Sequence, residues 1–194
     1  MLLCREMFLL CHVMPSVKRV EETRNRMPDF ESFCVYGFRT VYPSTWRVEF
    51  DPKSDRSKGD MVFKSPEKDN IFLSWGPLEK AQKRFSDPEE HLKYSIDQIK
   101  KKARVGGVEI TRKSDLEVQS HKALVSLLKV TFSMPSIIPF KKTKGEVQEV
   151  RTMHLHCENT GRYYVIFGQI TTDKSQMHED IINNMVNSFK CHEK

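Results

Sequence analysis

The sequence predicts a single α+β domain, an α/β/α sandwich in which helices cover both faces of a central antiparallel sheet. Three observations predict it. Apolar and polar residues alternate along several segments, with the period of half-buried strands. One amphipathic helix carries complete start signals, and a second apolar helix closes the chain. At 194 residues, with 38% hydrophobic and 30% charged residues, the chain is long enough to form one core.

The first element is the run from Tyr36 to Phe50, interpreted as a β-hairpin with its turn at Pro43-Ser44. Trp46, Val48 and Phe50 alternate with charged residues and share one face of the second strand.

Two shorter strands are predicted next, over residues 61–63 and 71–75, with a turn at 65–70 and an end at Gly76-Pro77. The aromatic residues of this half are expected to lie in the core. They are Trp46, Phe50, Phe63, Phe72 and Trp75.

A helix is predicted from Pro88, because Asp87 is a capping acceptor, proline is favoured at the first helical position and Glu90 completes a capping box. The Gly106-Gly107 pair is interpreted as the stop signal of this helix. Its apolar stripe consists of Leu92, Ile96, Ile99 and Ala103.

The second half is rich in strands. They are predicted at 108–112, 116–118, 123–133, 146–157 and 162–170, with turns at 120–122 and 158–161. A terminal helix follows, capped by Asp173 or Ser175. Its buried face consists of Ile181, Ile182, Met185, Val186 and Phe189.

This order of elements resembles the PsbP-like superfamily. The motifs that carry the resemblance are an aromatic-Gly-Phe strand leading to Tyr42-Pro43-Ser44-Thr45-Trp46, the strand at 163–168, and Val186-x-Ser-Phe189 near the end. The likeness covers about residues 30 to 190. The superfamily includes the PsbP proteins of photosystem II, the Ran-binding Mog protein and many uncharacterised prokaryotic proteins. It implies the sandwich fold and a binding or assembly role without a common catalytic site, and no family functional residue is transferred to this chain.

Residues 30–191 are expected to form this domain, and residues 1–29 an N-terminal extension, an arm or a wrongly assigned start. The apolar stretch at 1–14 resembles a signal peptide, but Arg5 and Glu6 interrupt it, and it is too short to span a membrane. The five cysteines include no CxxC pair, and the chain has no glycosylation sequon, which favours the cytoplasm.

The strongest lead for a binding site is the segment 134–145, which joins two long strands. Apolar residues stand directly before a basic cluster, a pattern that suits an acidic protein partner or an anionic membrane surface. The alternative is a loop folded over the sheet, with its lysines merely solvated. The candidate residues are Ile137, Ile138, Phe140, Lys141, Lys142 and Lys144.

Metal binding is considered at His154 and His156, which alternation places on one face of a strand, while Cys157 points to the other. Further ligands would have to come from His121 or from the tail residues Cys191 and His192. The favoured interpretation is two histidines on a solvated face, so no metal or cofactor is predicted.

No catalytic constellation is recognised, because the chain has neither a Gly-x-Ser-x-Gly elbow nor a phosphate-binding loop. The sequence therefore favours a non-enzymatic protein-binding or assembly module that contacts its partner through the segment 134–145. One alternative is a ligand carrier or enzyme with a pocket between sheet and helix near Trp75. Another is weak nucleic-acid binding through that segment and Lys100 to Arg104; this is unlikely, since the net charge is only +6.

Overall fold

A computed structural model describes residues 27–67, 69–102, 105–132, 146–170 and 175–193. The strands in these ranges are β1 (Phe30–Val35), β2 (Phe38–Pro43), β3 (Arg47–Phe50), β4 (Gly59–Lys64), β5 (Asn70–Pro77), β6 (Val105–Val118), β7 (His121–Phe132), β8 (Glu146–Cys157) and β9 (Arg162–Ile170). The helices are α1 (Leu78–Gln82), α2 (Pro88–Lys100) and α3 (Ser175–Ser188).

Seven of these strands form an antiparallel sheet in the order β3-β4-β5-β9-β8-β7-β6, and β1 and β2 form a separate two-stranded sheet. Helix α3 and the β1–β2 pair pack on one face of the large sheet, here called the α3 face. Helix α2 packs on the other, the α2 face, over β6, β7 and β8. The predicted α+β sandwich around an antiparallel sheet is confirmed.

The α3 face carries the larger core. The predicted apolar stripe of α3 is buried in full, with exposures of 1 to 3% from Ile181 to Phe189. It lies against side chains of the three central strands of this face, which include Met153, Leu155, Tyr164 and Ile166. Gly168 allows the close approach of α3, because a Cβ atom there would lie 2.5 Å from Cδ1 of Ile182.

The predicted N-cap of α2 at Asp87 and the proline at the first helical position are confirmed. A side-chain oxygen of Asp87 accepts the backbone N–H of Glu90 at 2.9 Å and so satisfies one of the N–H groups that a helix start leaves free. The Glu90 carboxylate accepts the N–H of Ser86 at 2.7 Å, the residue before the N-cap, and not that of Asp87 as the predicted capping box requires. The helix buries Leu92 and Ile96 against a smaller core made of Leu124, Leu128, Val130 and Val150.

The predicted hairpin over residues 36–50 is wrong. β2 pairs with β1 in the register Val35↔Phe38, whereas β3 pairs with β4 in the large sheet. Tyr36 and Gly37 both have positive φ, 51° and 83°, which is the backbone of a tight two-residue hairpin turn. The turn at Pro43 is real, with its carbonyl accepting the Trp46 N–H at 2.9 Å, but it carries the chain from one sheet to the other.

The predicted helix stop at Gly106-Gly107 is also wrong. Helix α2 ends at Lys100, and both glycines lie in β6, which is one strand from Val105 to Val118 with irregular register near Thr111. The turn to β7 is at Gln119 and Ser120, with φ of 49° and 67°.

Two of the five aromatic residues expected in the core lie at the surface. Phe50 is 39% exposed and Phe72 42%, whereas Trp46, Phe63 and Trp75 are buried. Phe72 lies on the part of the α2 face where α2 does not reach, because α2 packs over β6, β7 and β8 rather than over β5. The alternation of apolar and polar residues predicts which side chains share a face of the sheet. It does not predict which strands of that face a helix covers.

Candidate functional site

The predicted binding residues Ile137, Ile138, Phe140, Lys141, Lys142 and Lys144 lie outside the described residues. The strands that flank their segment are described. Phe132, the last residue of β7, is the register partner of Glu146, the first of β8, and also of Val105, the first of β6. The two residues that flank the segment therefore lie at the same end of the sheet as the first residue of β6.

That edge carries charge and apolar surface of its own. Lys100, Lys101 and Lys102 are exposed at the end of α2, and the N–H of Val105 donates to the Lys102 carbonyl at 3.3 Å. Val147, the second residue of β8, is 44% exposed. Lys100, Lys101 and Lys102 thus lie at the same end of the sheet as the residues that flank the segment 134–145.

Trp75 does not form the mouth of a pocket between sheet and helix. It is 1% exposed, and its indole N–H donates to the Asp55 carbonyl at 2.9 Å. An open groove of about 320 Å³ lies between the loop after β3 and the sheet, and Trp75 and Tyr163 line it together with charged and small residues of that loop. Trp75 packs as a core residue beneath that loop.

The interpretation of His154 and His156 as solvent-facing residues is wrong. His154 is 0% exposed, and its Nε2 lies 3.1 Å from Oγ of Ser95 on α2. The ring of His91, also on α2, lies 4.9 Å from that of His154, and its Nδ1 is 3.4 Å from Nε2 of His156. The physical reason is that α2 covers this part of β8, which the sequence pattern of β8 does not reveal.

These three histidines form a neutral internal cluster. Burial lowers the pKa of His91 to about 4 and that of His154 to about 3, and it also lowers the pKa of His156. The ring of His91 stacks on Phe85 with 4.0 Å between centroids. Aromatic packing and mutual hydrogen bonding thus account for the cluster as part of the protein interior.

A second cluster lies on the α3 face, where Cys157 points. The β7–β8 register pairs Ala123 with Leu155, so its continuation places His121 opposite Cys157. Nε2 of His121 lies 3.5 Å from Sγ of Cys157, and the tail residues Cys191 and His192 complete the group. Sequence reasoning named these four residues but did not connect them, because their proximity depends on strand register and on the path of the tail.

The four ligand-type atoms of this Cys/His cluster lie within 4.8 Å of one another. Nδ1 of His192 lies 3.7 Å from Sγ of Cys157 and 3.3 Å from Sγ of Cys191. Both cysteines are 0% exposed and are free thiols, whereas the two histidines are half-buried. A hydrogen bond from the Cys191 thiol lowers the pKa of Cys157 to about 4 and raises that of Cys191 itself.

The tail is held firmly at this cluster. Lys190 exchanges two backbone hydrogen bonds of 2.8 Å with Arg39 of β2. The hydroxyl of Tyr164 donates to the Cys191 carbonyl at 3.0 Å, and the amide oxygen of Gln119 accepts the Cys191 N–H at 2.9 Å. A groove of about 750 Å³ borders His192, the one member of the cluster that lines it.

Comparison of the fold with solved structures finds two informative similarities. The solution structure of cyanobacterial PsbP (CyanoP) from Synechocystis sp. PCC 6803 matches with a TM-score of 0.55 and 11% identity, covering 85% of this chain and 94% of that one. The Ran-binding protein Mog1p of Saccharomyces cerevisiae matches with a TM-score of 0.55 and 9% identity, covering 84% and 95%. No protein-family model matches the sequence, and no curated protein does.

The chain therefore has the PsbP/Mog1-like fold, as the sequence motifs predicted. At this level of identity the similarity defines architecture, and functional residues have to be argued from this chain alone. No helix within the described ranges is long and apolar enough to cross a membrane.

Proposed function

We propose that this protein is a non-enzymatic, cytoplasmic protein-binding module that contacts an acidic partner through the end of the sheet from which the segment 134–145 leaves. The observation that carries the proposal is the pairing of Val105, Phe132 and Glu146 at that end. This pairing places Phe132 and Glu146, which flank the segment, at the same end of the sheet as the exposed lysines 100–102.

The composition of the segment defines the kind of partner. Lys141, Lys142 and Lys144 add three positive charges to those of α2, and like charges held together favour an acidic surface. Ile138 and Phe140 supply the apolar anchors that give a protein interface most of its binding energy. A nucleic acid would use the same lysines but would gain little from an isoleucine, so the apolar residues favour a protein.

The shared fold supports a binding role, because Mog1p is a Ran-binding protein of the same architecture. The free thiols at Cys157 and Cys191 fit a reducing cytoplasm. The ligand-carrier alternative has less support, since Trp75 is packed in the core, and in the described residues the space between α2 and the sheet is occupied by apolar side chains and by the three histidines.

Affinity capture from the lysate of the source organism tests the proposal with two matched pairs of variants. I138S/F140S removes the apolar anchors, and F72S/I110S removes two exposed apolar side chains elsewhere, 42% and 43% exposed. The proposal predicts that a protein retained by the wild type is lost with the first variant and kept with the second. Equal capture by both would overturn the assignment to the segment.

The second pair of variants tests the electrostatic contribution to binding. K141E/K142E/K144E reverses the lysines of the segment, and K53E/K80E/K122E reverses three exposed lysines elsewhere, so both variants change the net charge equally. Loss of capture only with the first variant supports an acidic partner. Capture that is equally reduced by both would indicate a general charge effect, and nuclease-sensitive capture would indicate a nucleic acid.

A further inference from the structure

The geometry of the Cys/His cluster points to a structural zinc site, and we propose that His121, Cys157, Cys191 and His192 bind one Zn²⁺ ion in a closed tetrahedron. The proposal is independent of the protein-binding function, because the cluster lies at the opposite end of β7 and β8 from the segment 134–145.

The separations fit the edges of such a tetrahedron. With Zn–S of about 2.3 Å and Zn–N of about 2.0–2.1 Å, neighbouring ligand atoms in a tetrahedron lie roughly 3.4–3.8 Å apart. Three of the separations in the cluster are 3.3, 3.5 and 3.7 Å, and each joins a sulfur to an imidazole nitrogen. The four atoms could therefore reach bonding distance with small movements of the side chains.

The chemistry of the four groups selects the metal. Two thiolates and two neutral imidazoles are a common ligand set of structural Zn²⁺, and the two thiolate charges balance the ion in a buried position. A disulfide between Cys157 and Cys191 would use both sulfurs but would leave no role for the two imidazoles that point at them.

The surroundings also fit a metal site. Nδ2 of Asn159 lies 3.3 Å from Nε2 of His192, the ring nitrogen that does not face the sulfurs. A metal-bound imidazole donates this N–H, so zinc binding requires the Asn159 amide to turn its oxygen, the acceptor, toward His192. Gln119 holds the backbone of both tail ligands, accepting the N–H of Cys191 at 2.9 Å and that of His192 at 3.3 Å.

Bound zinc would join β7, β8 and the tail at one point. Binding converts two thiols to thiolates and releases their two protons to solvent, with no change in oxidation state. Because a ligand set assembled from three distant parts of the chain exists only in the folded protein, the binding energy adds to stability.

Cobalt substitution tests the site directly. The reduced full-length chain, stripped of metal by a chelator, is titrated with Co²⁺, and we expect one ion per chain. The signature is the intense visible absorption of tetrahedral cobalt together with thiolate-to-cobalt charge transfer, both abolished by added Zn²⁺. Absence of this signature would overturn the proposal.

Variants assign the ligands. C157S and C191S should each lower the charge-transfer absorption, because each removes one of the two thiolates, and C157S/C191S should abolish it. H121Q and H192Q should weaken binding beyond the roughly 10- to 100-fold typical for a group that only supports a ligand. The control C4S/C11S/C34S removes the cysteines outside the cluster and should bind cobalt like the wild type. An undiminished charge-transfer absorption in C157S, or its loss in the control, would contradict the assignment.

A measurement on the unmodified chain guards against variants that fail to fold. Zn²⁺ should raise the unfolding temperature of the reduced wild type by several degrees relative to the same protein in chelator. An unchanged unfolding temperature, or a reduced chain whose two buried thiols still react freely in the presence of Zn²⁺, would count against the site.

Discussion

The side-chain amide oxygen of Gln119 accepts the backbone N–H of Cys191 at 2.9 Å, and its Nε2 donates to the His192 carbonyl at 3.0 Å. One side chain in the β6–β7 turn thus satisfies both the donor and the acceptor groups of the tail that follows α3. The position of the two tail residues in the Cys/His cluster depends on this contact.

Replacing Gln119 with alanine is expected to lower the free energy of unfolding by about 1–3 kcal/mol, because part-buried backbone groups lose their partner. Urea unfolding in the presence of chelator measures the effect without any contribution from metal. Q98A, which shortens an exposed glutamine on α2, is the control and should change stability by less than about 0.5 kcal/mol. Equal effects of the two variants would show that Gln119 does not hold the tail.

Acidification is expected to destabilise the fold through the internal histidines. His91 and His154 have pKa values of about 4 and about 3 in the folded chain, against 6.5 ordinarily. Below pH 6.5 the unfolded chain takes up protons that the folded chain does not, so stability is full above that pH and falls as the pH is lowered toward 4. At about pH 5.5 the loss is roughly 1 kcal/mol for each histidine.

Urea unfolding in the presence of chelator at several pH values measures the slope of the free energy of unfolding against pH. The ring of His91 also faces those of His156 and Tyr163, and the charge of the Asp87 carboxylate favours protonation of His156. H91Q removes one titrating group from the cluster and should flatten the slope between pH 6.5 and 5. An identical slope in the variant would exclude His91 as a source of the pH dependence.

Gly168 is expected to tolerate no side chain. A Cβ atom there would lie 2.5 Å from Cδ1 and 2.9 Å from Cγ1 of Ile182, so G168A should cost about 1–3 kcal/mol in stability. Gly107 provides the matched control, because nothing lies within 4 Å of the corresponding position. Thermal unfolding should show a lower midpoint for G168A than for G107A.

A double variant checks the cause. I182V removes Cδ1, the nearest atom, and should make G168A less costly than it is in the wild type, which a double-mutant cycle measures as coupling between the two positions. Strict additivity would contradict the proposed contact between α3 and β9.

The N-cap of α2 is expected to contribute about 1 kcal/mol. D87A removes the acceptor of the Glu90 N–H, and D97A, on the exposed face of the same helix, leaves the cap intact. Chemical unfolding should show the loss for D87A only. The hydrogen bond from the Glu90 N–H lowers the pKa of Asp87, so the difference between the variants should shrink at acid pH.

The sequence predicted the elements whose formation depends on neighbouring residues. The N-cap at Asp87, the apolar stripe of α3 and the β8–β9 hairpin were all confirmed, since each depends on residues close in sequence. The β1–β2 pair was missed because the two-residue turn at Tyr36-Gly37 was not recognised as a hairpin turn. The strand that is β2 was therefore predicted to pair with β3 and not with β1.

The Cys/His cluster was harder to predict for a different reason. Alternation placed His154 and Cys157 on opposite faces, and this was confirmed, but it does not tell which face a helix will cover. The approach of His121 to Cys157 follows from the β7–β8 register, and that of Cys191 from hydrogen bonds far along the chain. Contacts between residues far apart in the chain produce no periodic pattern in the sequence.

Site-specific photo-crosslinking tests the proposed interface most directly. A photoreactive phenylalanine analogue replaces Phe140 in one variant and the exposed Phe72 in another, and each is irradiated in lysate. If the segment 134–145 binds a partner, position 140 should give one discrete crosslinked protein, suppressed by K141E/K142E/K144E, and position 72 none. A discrete product from position 72 alone, or none from position 140 in a properly folded chain, would contradict it.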